Sequence, residues 1–427
     1  MKIHSIIILA FCMPVLLISS CRMHSNNIAV KQVNNAIDQF SIGIFWPPVW
    51  EFTNEEQYQW IGEANVDFVE NVKNARMFSE MHNLKLLELA EKYGFRVTVA
   101  DPRIFGTDEE IEDAVNAYKN HKSLAGYYIK DEPDSTEFDW ASKIYKKLIA
   151  LDSVHIPHVN LFPNFVIPNY EKNHVERWVN LVGAERLKYL TFDQYPFMVN
   201  GRIRPTYYEN LEIIRRVGLK YQVKTSAYLQ SVGIIDAYKR PSESELRFNM
   251  YSALAYGIKR PVWFTYWTPT NAGKEIFTDA IIDPFGRKTD LYEPFKNLNE
   301  EVKQIGNILY ESNAIEVYHS GLDSAIAIQK LPAHFIFQPL SHTDDLLVSK
   351  FLRANGEQYI MLVNKSLTVP KNFRIKIQSE AVPNITALEI KNQKLVYTSM
   401  KVDDKNAFNT YLTAGEGRLF LIKEKGL

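Results

Sequence analysis

The sequence predicts an α/β chain: a (β/α)8 TIM barrel followed by a small antiparallel β-sandwich. Three observations carry this. From Phe40 onward, short apolar runs alternate with amphipathic, capped stretches, and the runs number eight. The fourth run, Leu124 to Ile129, ends abruptly in Asp131, Glu132 and Pro133, an acidic pair at a strand-to-helix turn. Beyond about Ile315 the period changes to short alternating segments parted by turn residues.

In chain order the expected barrel strands are 41–45, 66–70, 95–100, 124–130, 155–161, 189–193, 221–228 and 262–266. Runs that are apolar and β-branched throughout suit strands buried on both faces, and eight of them close a barrel. Thr107 with Glu110 and Ser242 with Glu245 have capping-box spacing, and Gly94, Gly183, Gly218 and Gly257 follow helical runs where C-caps belong. The fifth unit is irregular, because Leu161 to Pro168 is a long loop with two prolines, suited equally to shaping a cleft or to a structural connection. After a helix at 291–309, the sandwich strands are expected near 325–328, 335–337, 346–351, 359–363, 373–375, 387–390 and 419–422.

The domain plan is a signal peptide over 1–20, a lipidated tether over 21–39, the barrel over 40–311 and the sandwich over 312–427. A short basic start, an apolar run from Ile6 to Ile18 and small residues up to Cys21 have secretory layout. Leu17 to Cys21 resembles a bacterial lipobox, which makes Cys21 the site of lipidation. Cys12 leaves with the signal, so Cys21 is the one cysteine retained. The expected address is the cell envelope, with a lipid anchor in the bacterial outer membrane and either face open. Composition is that of an ordinary folded chain, 46% hydrophobic and 23% charged. A formal charge of -1 supplies no basic field for nucleic acid, so no nucleic-acid partner is expected.

Chemistry in such a barrel sits at the carboxyl ends of the strands. Those ends offer Trp46, Asn71, Asp101, Asp131 with Glu132, Asn160, Asp193 with Tyr195, Gln230, and Tyr266 with Trp267. The histidines His82, His121, His155, His158 and His174 are scattered without paired spacing, so no metal and no cofactor are expected. Aromatic faces beside acids and amides are the materials of a sugar site: rings stack on C–H faces while fixed polar groups bond hydroxyls. Glu132 is the candidate proton donor, its pKa raised by burial and by the neighbouring Asp131. The alternative for this pair is a helix cap with Lys130. Asp193 is a candidate second carboxylate or a turn residue. Trp46 and Trp267 are candidate stacking walls, Asn160 and Gln230 candidate hydroxyl ligands, and Asp101 a partner for Arg103.

Glu132 at the end of strand four, Trp267 past strand eight and the appended sandwich resemble the large clan of barrel glycoside hydrolases whose acid/base glutamate follows strand four. The resemblance implies a glycosidase with a carbohydrate substrate. That clan usually has Asn-Glu-Pro here and a nucleophilic glutamate ending strand seven. In this sequence Asp131 replaces the asparagine, and strand seven offers Gln230, which cannot act as a carboxylate nucleophile. The Asp131–Glu132 pair is also similar to that of the substrate-assisted β-N-acetylhexosaminidases, which implies that Asp131 orients an acetamido group and Tyr195 bonds its oxygen. Asp193 as second carboxylate is the third possibility. A glycan-binding lipoprotein without catalysis is the competing expectation from another class, motivated by Gln230.

Overall fold

The computed structural model describes residues 38–72, 77–270, 273–321, 329–379 and 383–423. The expected signal, the tether through residue 37 with Cys21, and the expected strand at 325–328 lie outside the described residues.

Eight parallel strands form the barrel: β1 Gly43–Phe45, β2 Phe68–Glu70, β3 Arg96–Val99, β4 Leu124–Asp131, β5 Ile156–Asn160, β6 Leu190–Asp193, β7 Thr225–Gln230 and β8 Arg260–Phe264. Their order is β5-β4-β3-β2-β1-β8-β7-β6. The gap between β5 and β6 is bridged where the Leu161 amide donates to the Thr191 carbonyl at 2.9 Å and Leu161 pairs with Phe192. The strands are buried along nearly all their length, which is why their sequences are rich in apolar residues on both faces. Gly126 allows β4 to approach β5: a Cβ there would meet the Ile156 carbonyl oxygen at 1.9 Å.

The helices α1 Glu55–Glu63, α2 Glu80–Tyr93, α3 Asp108–Tyr118, α4 Phe138–Leu151, α5 Arg177–Val182, α6 Tyr207–Tyr221, α7 Glu243–Ala255 and α8 Tyr292–Tyr310 wrap the barrel. Both capping boxes form, at Thr107 with Glu110 and at Ser242 with Glu245. Gly94 ends α2 in the left-handed region, and Gly183 and Gly257 also stand at helix ends with positive φ. Gly218 is different. It lies inside α6, where a Cβ would meet Thr225 Cγ2 at 2.7 Å, and Gln222 ends that helix instead. The expected strand seven therefore began too early, since Tyr221 closes the helix. The irregular fifth unit enters through one π-helical stretch, Glu171–Glu176, before α5.

The barrel's interior is not purely apolar. Glu70 of β2 is buried against Arg260 of β8 at 3.1 Å, and the Tyr228 hydroxyl donates to the same carboxylate. His158 Nε2 lies 2.8 Å from that hydroxyl. Burial holds the His158 imidazole below its ordinary pKa. Arg260 lies 3.5 Å from the centre of the Phe68 ring, so this buried charge has a partner on each side.

After α8 come β9 Ser312–His319, β10 Phe337–Pro339, β11 Leu346–Arg353, β12 Gln358–Asn364, β13 Lys371–Ile377, β14 Asn384–Lys391, β15 Lys394–Ser399, β16 Ala407–Leu412 and β17 Gly417–Lys423. They form a six-stranded sheet, β15-β14-β17-β12-β11-β9, and a three-stranded sheet, β10-β13-β16. Strands β9, β15 and β16 were not anticipated: β9 follows α8 with no turn residue between them, Lys394–Ser399 is half exposed, and Asn409 and Thr410 interrupt the apolar run of Ala407–Leu412. In β12, Tyr359, Met361 and Val363 join the barrel's core, while Ile360 and Leu362 join the core between the two sheets. The six-stranded sheet is thus covered on one side by the barrel and on the other by its partner sheet.

Candidate active site

The carboxyl ends of the strands open into a cleft of about 800 Å³. Its lining takes Phe45, Trp46, Tyr128, Tyr228 and Phe264 from strands β1, β4, β7 and β8 or their ends. Phe105 and Trp140 come from the turn after β3 and from α4, Phe162, Pro163, Phe165 and Val166 from the loop after β5, and Tyr195, Ile234, Tyr238 and Phe277 from the loops after β6, β7 and β8. Set among these rings are Asp131, Glu132, Asn160, Asp193 and Glu275.

Local sequence explains how the acids reach the cleft. The pairing of β4 with β5 shifts register between Tyr128 and Lys130, a bulge that re-aims the end of the strand. Pro133 then stops the ladder. Glu132 sits at φ 49°, in the left-handed region, and its amide donates to the Asn160 carbonyl at 2.9 Å. Asp134 closes the turn by accepting from the Thr136 amide at 2.7 Å and hydroxyl at 2.6 Å. Trp46, at the end of β1, is a second residue with positive φ, 66°. Such conformations cost of order 1–3 kcal/mol and persist where the surroundings over-determine them. Both of these face the cleft.

Asn160 ties two of the acids together. Its Nδ2 donates to Asp131 Oδ1 at 3.0 Å and to Asp193 Oδ1 at 3.2 Å. Glu132 and Asp193 are hydrogen-bonded to each other through their side chains. Burial, then the charges of Asp193 and Asp131, hold the Glu132 carboxyl far above its ordinary range. Burial and the Asp131 charge raise Asp193 as well, by less. Two buried carboxyls joined in this way titrate as a pair that holds a proton between them. Burial raises Asp131 to about 6, opposed by the Asn160 donor.

Of the residues singled out in the sequence, Trp46, Asp131, Glu132, Asn160, Asp193 and Tyr195 line one cleft. Five others do not. Asn71 is buried toward α2, donating to the Met77 carbonyl at 2.8 Å and to Asn83 Oδ1 at 2.9 Å. Asp101 is clasped by Arg103 at 2.9–3.0 Å and by the Tyr118 hydroxyl at 2.5 Å. Gln230 accepts from the Phe197 amide at 2.9 Å and donates to the Lys239 carbonyl at 2.8 Å, so its amide is spent on joining two loops. Tyr266 and Trp267 are displaced by register: β8 ends at Phe264, and the chain then runs along β1, with the Tyr266 amide donating to the Phe45 carbonyl and the Trp267 amide to that of Trp46. Phe264 reaches the cleft in their place, and Trp267 packs on Phe52 with ring centres 4.9 Å apart.

The sequence reading missed Phe105, Trp140, Phe165 and Glu275. Trp140 carried a usable signal, since it falls off the apolar stripe of α4 formed by Phe138, Ala141, Ile144, Tyr145 and Leu148. Glu275 comes from the loop after β8, where no motif marks it; burial raises its carboxyl. Among the described residues, no grouping of histidine, cysteine and acid could hold a metal ion.

A parallel eight-stranded barrel with an antiparallel sandwich behind it is the architecture that comparison with known structures returns. The fold is shared with barrel glycoside hydrolases. The chain is similar to a family 5 glycoside hydrolase from Bacteroides vulgatus ATCC 8482, with TM-score 0.54 and 12% identity over 91% of this chain and 90% of that one. It is similar also to a family 39 glycoside hydrolase from the gut symbiont Bacteroides cellulosilyticus WH2, with TM-score 0.52 and 9% identity over 92% of this chain and 83% of that one. A β-galactosidase from the psychrophilic Marinomonas ef1 matches with TM-score 0.50 and 10% identity over 63% of this chain, which spans 61% of that protein's length. At these identities the likeness is one of fold. No protein-family model and no curated protein matches the chain.

Proposed function

We propose that this chain is a glycoside hydrolase acting on poly- or oligosaccharide in the cell envelope, with Glu132 as general acid/base. One observation carries the reading: Glu132, kept protonated by burial, is hydrogen-bonded to Asp193 in a cleft walled by aromatic rings. Glycosidic cleavage needs a proton for the leaving oxygen and a carboxylate for the oxocarbenium-like centre, and this pair supplies one of each. The glycoside hydrolases that share the fold give further support.

Glu132 delivers its proton to the glycosidic oxygen as the bond to the anomeric carbon breaks. Asp193 attacks that carbon, and Asn160 holds its carboxylate. Glu132, now ionised, takes a proton from water, which displaces Asp193. Carboxyl groups in direct contact stand nearer to the separation of retaining enzymes, about 5–5.5 Å, than to the 6.5–9.5 Å or so of inverting ones. A retained anomeric configuration, read by proton NMR on fresh product, is therefore expected. The contact between Glu132 and Asp193 favours Asp193 over Asp131 as partner of the acid. Substrate assistance by an acetamido group would make a thiazoline mimic an inhibitor, and this account expects none.

The deciding experiment measures reducing-sugar release from a panel of neutral polysaccharides by the wild type and by Glu132→Gln. A loss of about 10²- to 10⁴-fold in turnover is expected of the variant. Full activity in Glu132→Gln rules out the donor, and glycan binding without cleavage by the wild type makes the protein a glycan-binding lipoprotein. Envelope attachment through Cys21 belongs to the same proposal and rests on the lipobox-like sequence. Radiolabelled fatty acid should enter the wild type and not Cys21→Ser.

A further inference from the structure

Beyond the acids, the cleft carries an aromatic surface that the reaction itself does not use. Phe105 and Trp140 stack with ring centres 5.9 Å apart and planes 24° from parallel, and Phe78 extends the stack behind Phe105 at 5.7 Å. Trp140 is 38% exposed, a large apolar area left open at the edge of a cleft.

The surface is rigidly mounted. Phe105 belongs to the 3-10 turn Pro102–Phe105, whose N-cap is Asp101. Asp101 is held by Arg103 and Tyr118, and Arg103 also pairs with Glu80 at 2.8 Å. Trp140 is fixed by the first turn of α4, eight residues beyond Glu132. Asp101 is thus a positioning residue, setting the turn that presents Phe105.

Its place in the barrel gives the surface a role. Phe105 and Trp140 follow β3 and β4, on one flank of Glu132. Asp193, Tyr195, Tyr238 and Phe264 follow β6 to β8, on the other flank, with Tyr195 and Phe264 stacked at 4.9 Å. A proton donor stands beside the bond it cleaves, between the ring that is attacked and the ring that leaves. The attacked ring belongs beside Asp193. We infer that the Phe105–Trp140 stack is a binding platform for the sugar ring on the leaving-group side, so that the substrate is an oligo- or polysaccharide with at least one neutral ring there. The charged residues of the lining are acids but for Lys130, its one cation among the described residues, which is paired with Glu137 at 2.9 Å. An anionic ring has no counter-charge on this surface. The inference rests on the assignment of Glu132 and Asp193.

The test is equilibrium binding, which needs no turnover. Neutral oligosaccharides from cellulose, xylan, mannan and laminarin, with oligogalacturonate as the anionic probe, are titrated into Glu132→Gln and into Glu132→Gln carrying Trp140→Ala or Trp140→Phe. The expected result is binding of a neutral oligosaccharide that weakens about tenfold or more with Trp140→Ala and is restored in large part by Trp140→Phe, with oligogalacturonate bound by none. Binding to a neutral oligosaccharide that Trp140→Ala leaves unchanged overturns the platform and leaves the hydrolase reading standing. Failure of Glu132→Gln to bind any neutral oligosaccharide overturns both. Circular dichroism of the Trp140 variants checks that the fold persists, as an exposed side chain predicts.

Discussion

Asp131, Glu132 and Asp193 each have a folded-state pKa above the ordinary carboxylate value, so each favours the folded state when protonated and opposes it when ionised. The folded chain binds more protons than the unfolded one between the two pKa values, and stability falls as pH rises through that window. For Asp131 the window runs from 3.8 to about 6. Asp131→Asn cannot ionise, and its amide oxygen can still accept from Asn160. Its melting temperature should exceed that of the wild type by about 1–3 °C at pH 7, with the gain vanishing near pH 4. Calorimetry at the two pH values checks this, and a variant less stable at pH 7 would contradict the account of burial. The acidic pair was legible in the sequence because Pro133 forces the strand to stop there. Its proton-sharing with Asp193 was not, because that contact joins strands β4 and β6, which are not neighbours in the sheet order.

At the scale of elements, Lys259 shows how the barrel's far end is closed. Its ammonium donates to the carbonyls of Leu309, in the last turn of α8, and of Ser312, which starts β9. A cation there satisfies carbonyls that a helix end leaves open. Burial lowers its pKa to about 7 from 10.5. The unfolded chain then binds more protons between pH 7 and 10, so stability rises with pH across that range. Urea denaturation at pH 7 and pH 9.5 should show this rise in the wild type, and a smaller one in Lys259→Met. Equal slopes would place the ammonium in contact with water. Strand existence was legible from short, largely apolar runs, whereas strand ends were not: nothing local told Phe264 from Trp267 as the residue that enters the cleft, since that depends on how the chain runs along β1 after β8 stops.

Over the whole molecule, one core runs from the barrel into the sandwich. Leu347, Phe351, Met361, Val363, Leu419 and Leu421 of the six-stranded sheet belong to the same buried cluster as the barrel's helices. Gly417 makes the docking close: a Cβ there would meet Tyr251 Cδ1 of α7 at 2.4 Å. Met361→Ala should cost about 2–5 kcal/mol and lower a single unfolding transition shared by barrel and sandwich. Two separate transitions, with only one displaced, would mean that the parts unfold independently. The change of period near Ile315 made the sandwich legible as a second unit. Its attachment was hidden, because Tyr359 to Val363 is apolar on both faces and the sequence does not say what covers each.

The mechanism turns on Glu132 giving its proton to the departing oxygen. The decisive comparison sets Glu132→Gln against the wild type on glycosides whose leaving groups differ in acidity. The loss of about 10²- to 10⁴-fold in kcat/KM seen with an oligosaccharide should shrink toward nothing in kcat/KM with a dinitrophenyl glycoside, which departs without a proton, while kcat stays low because the base that activates water is missing. A loss in kcat/KM of the same size with both would contradict that role for Glu132.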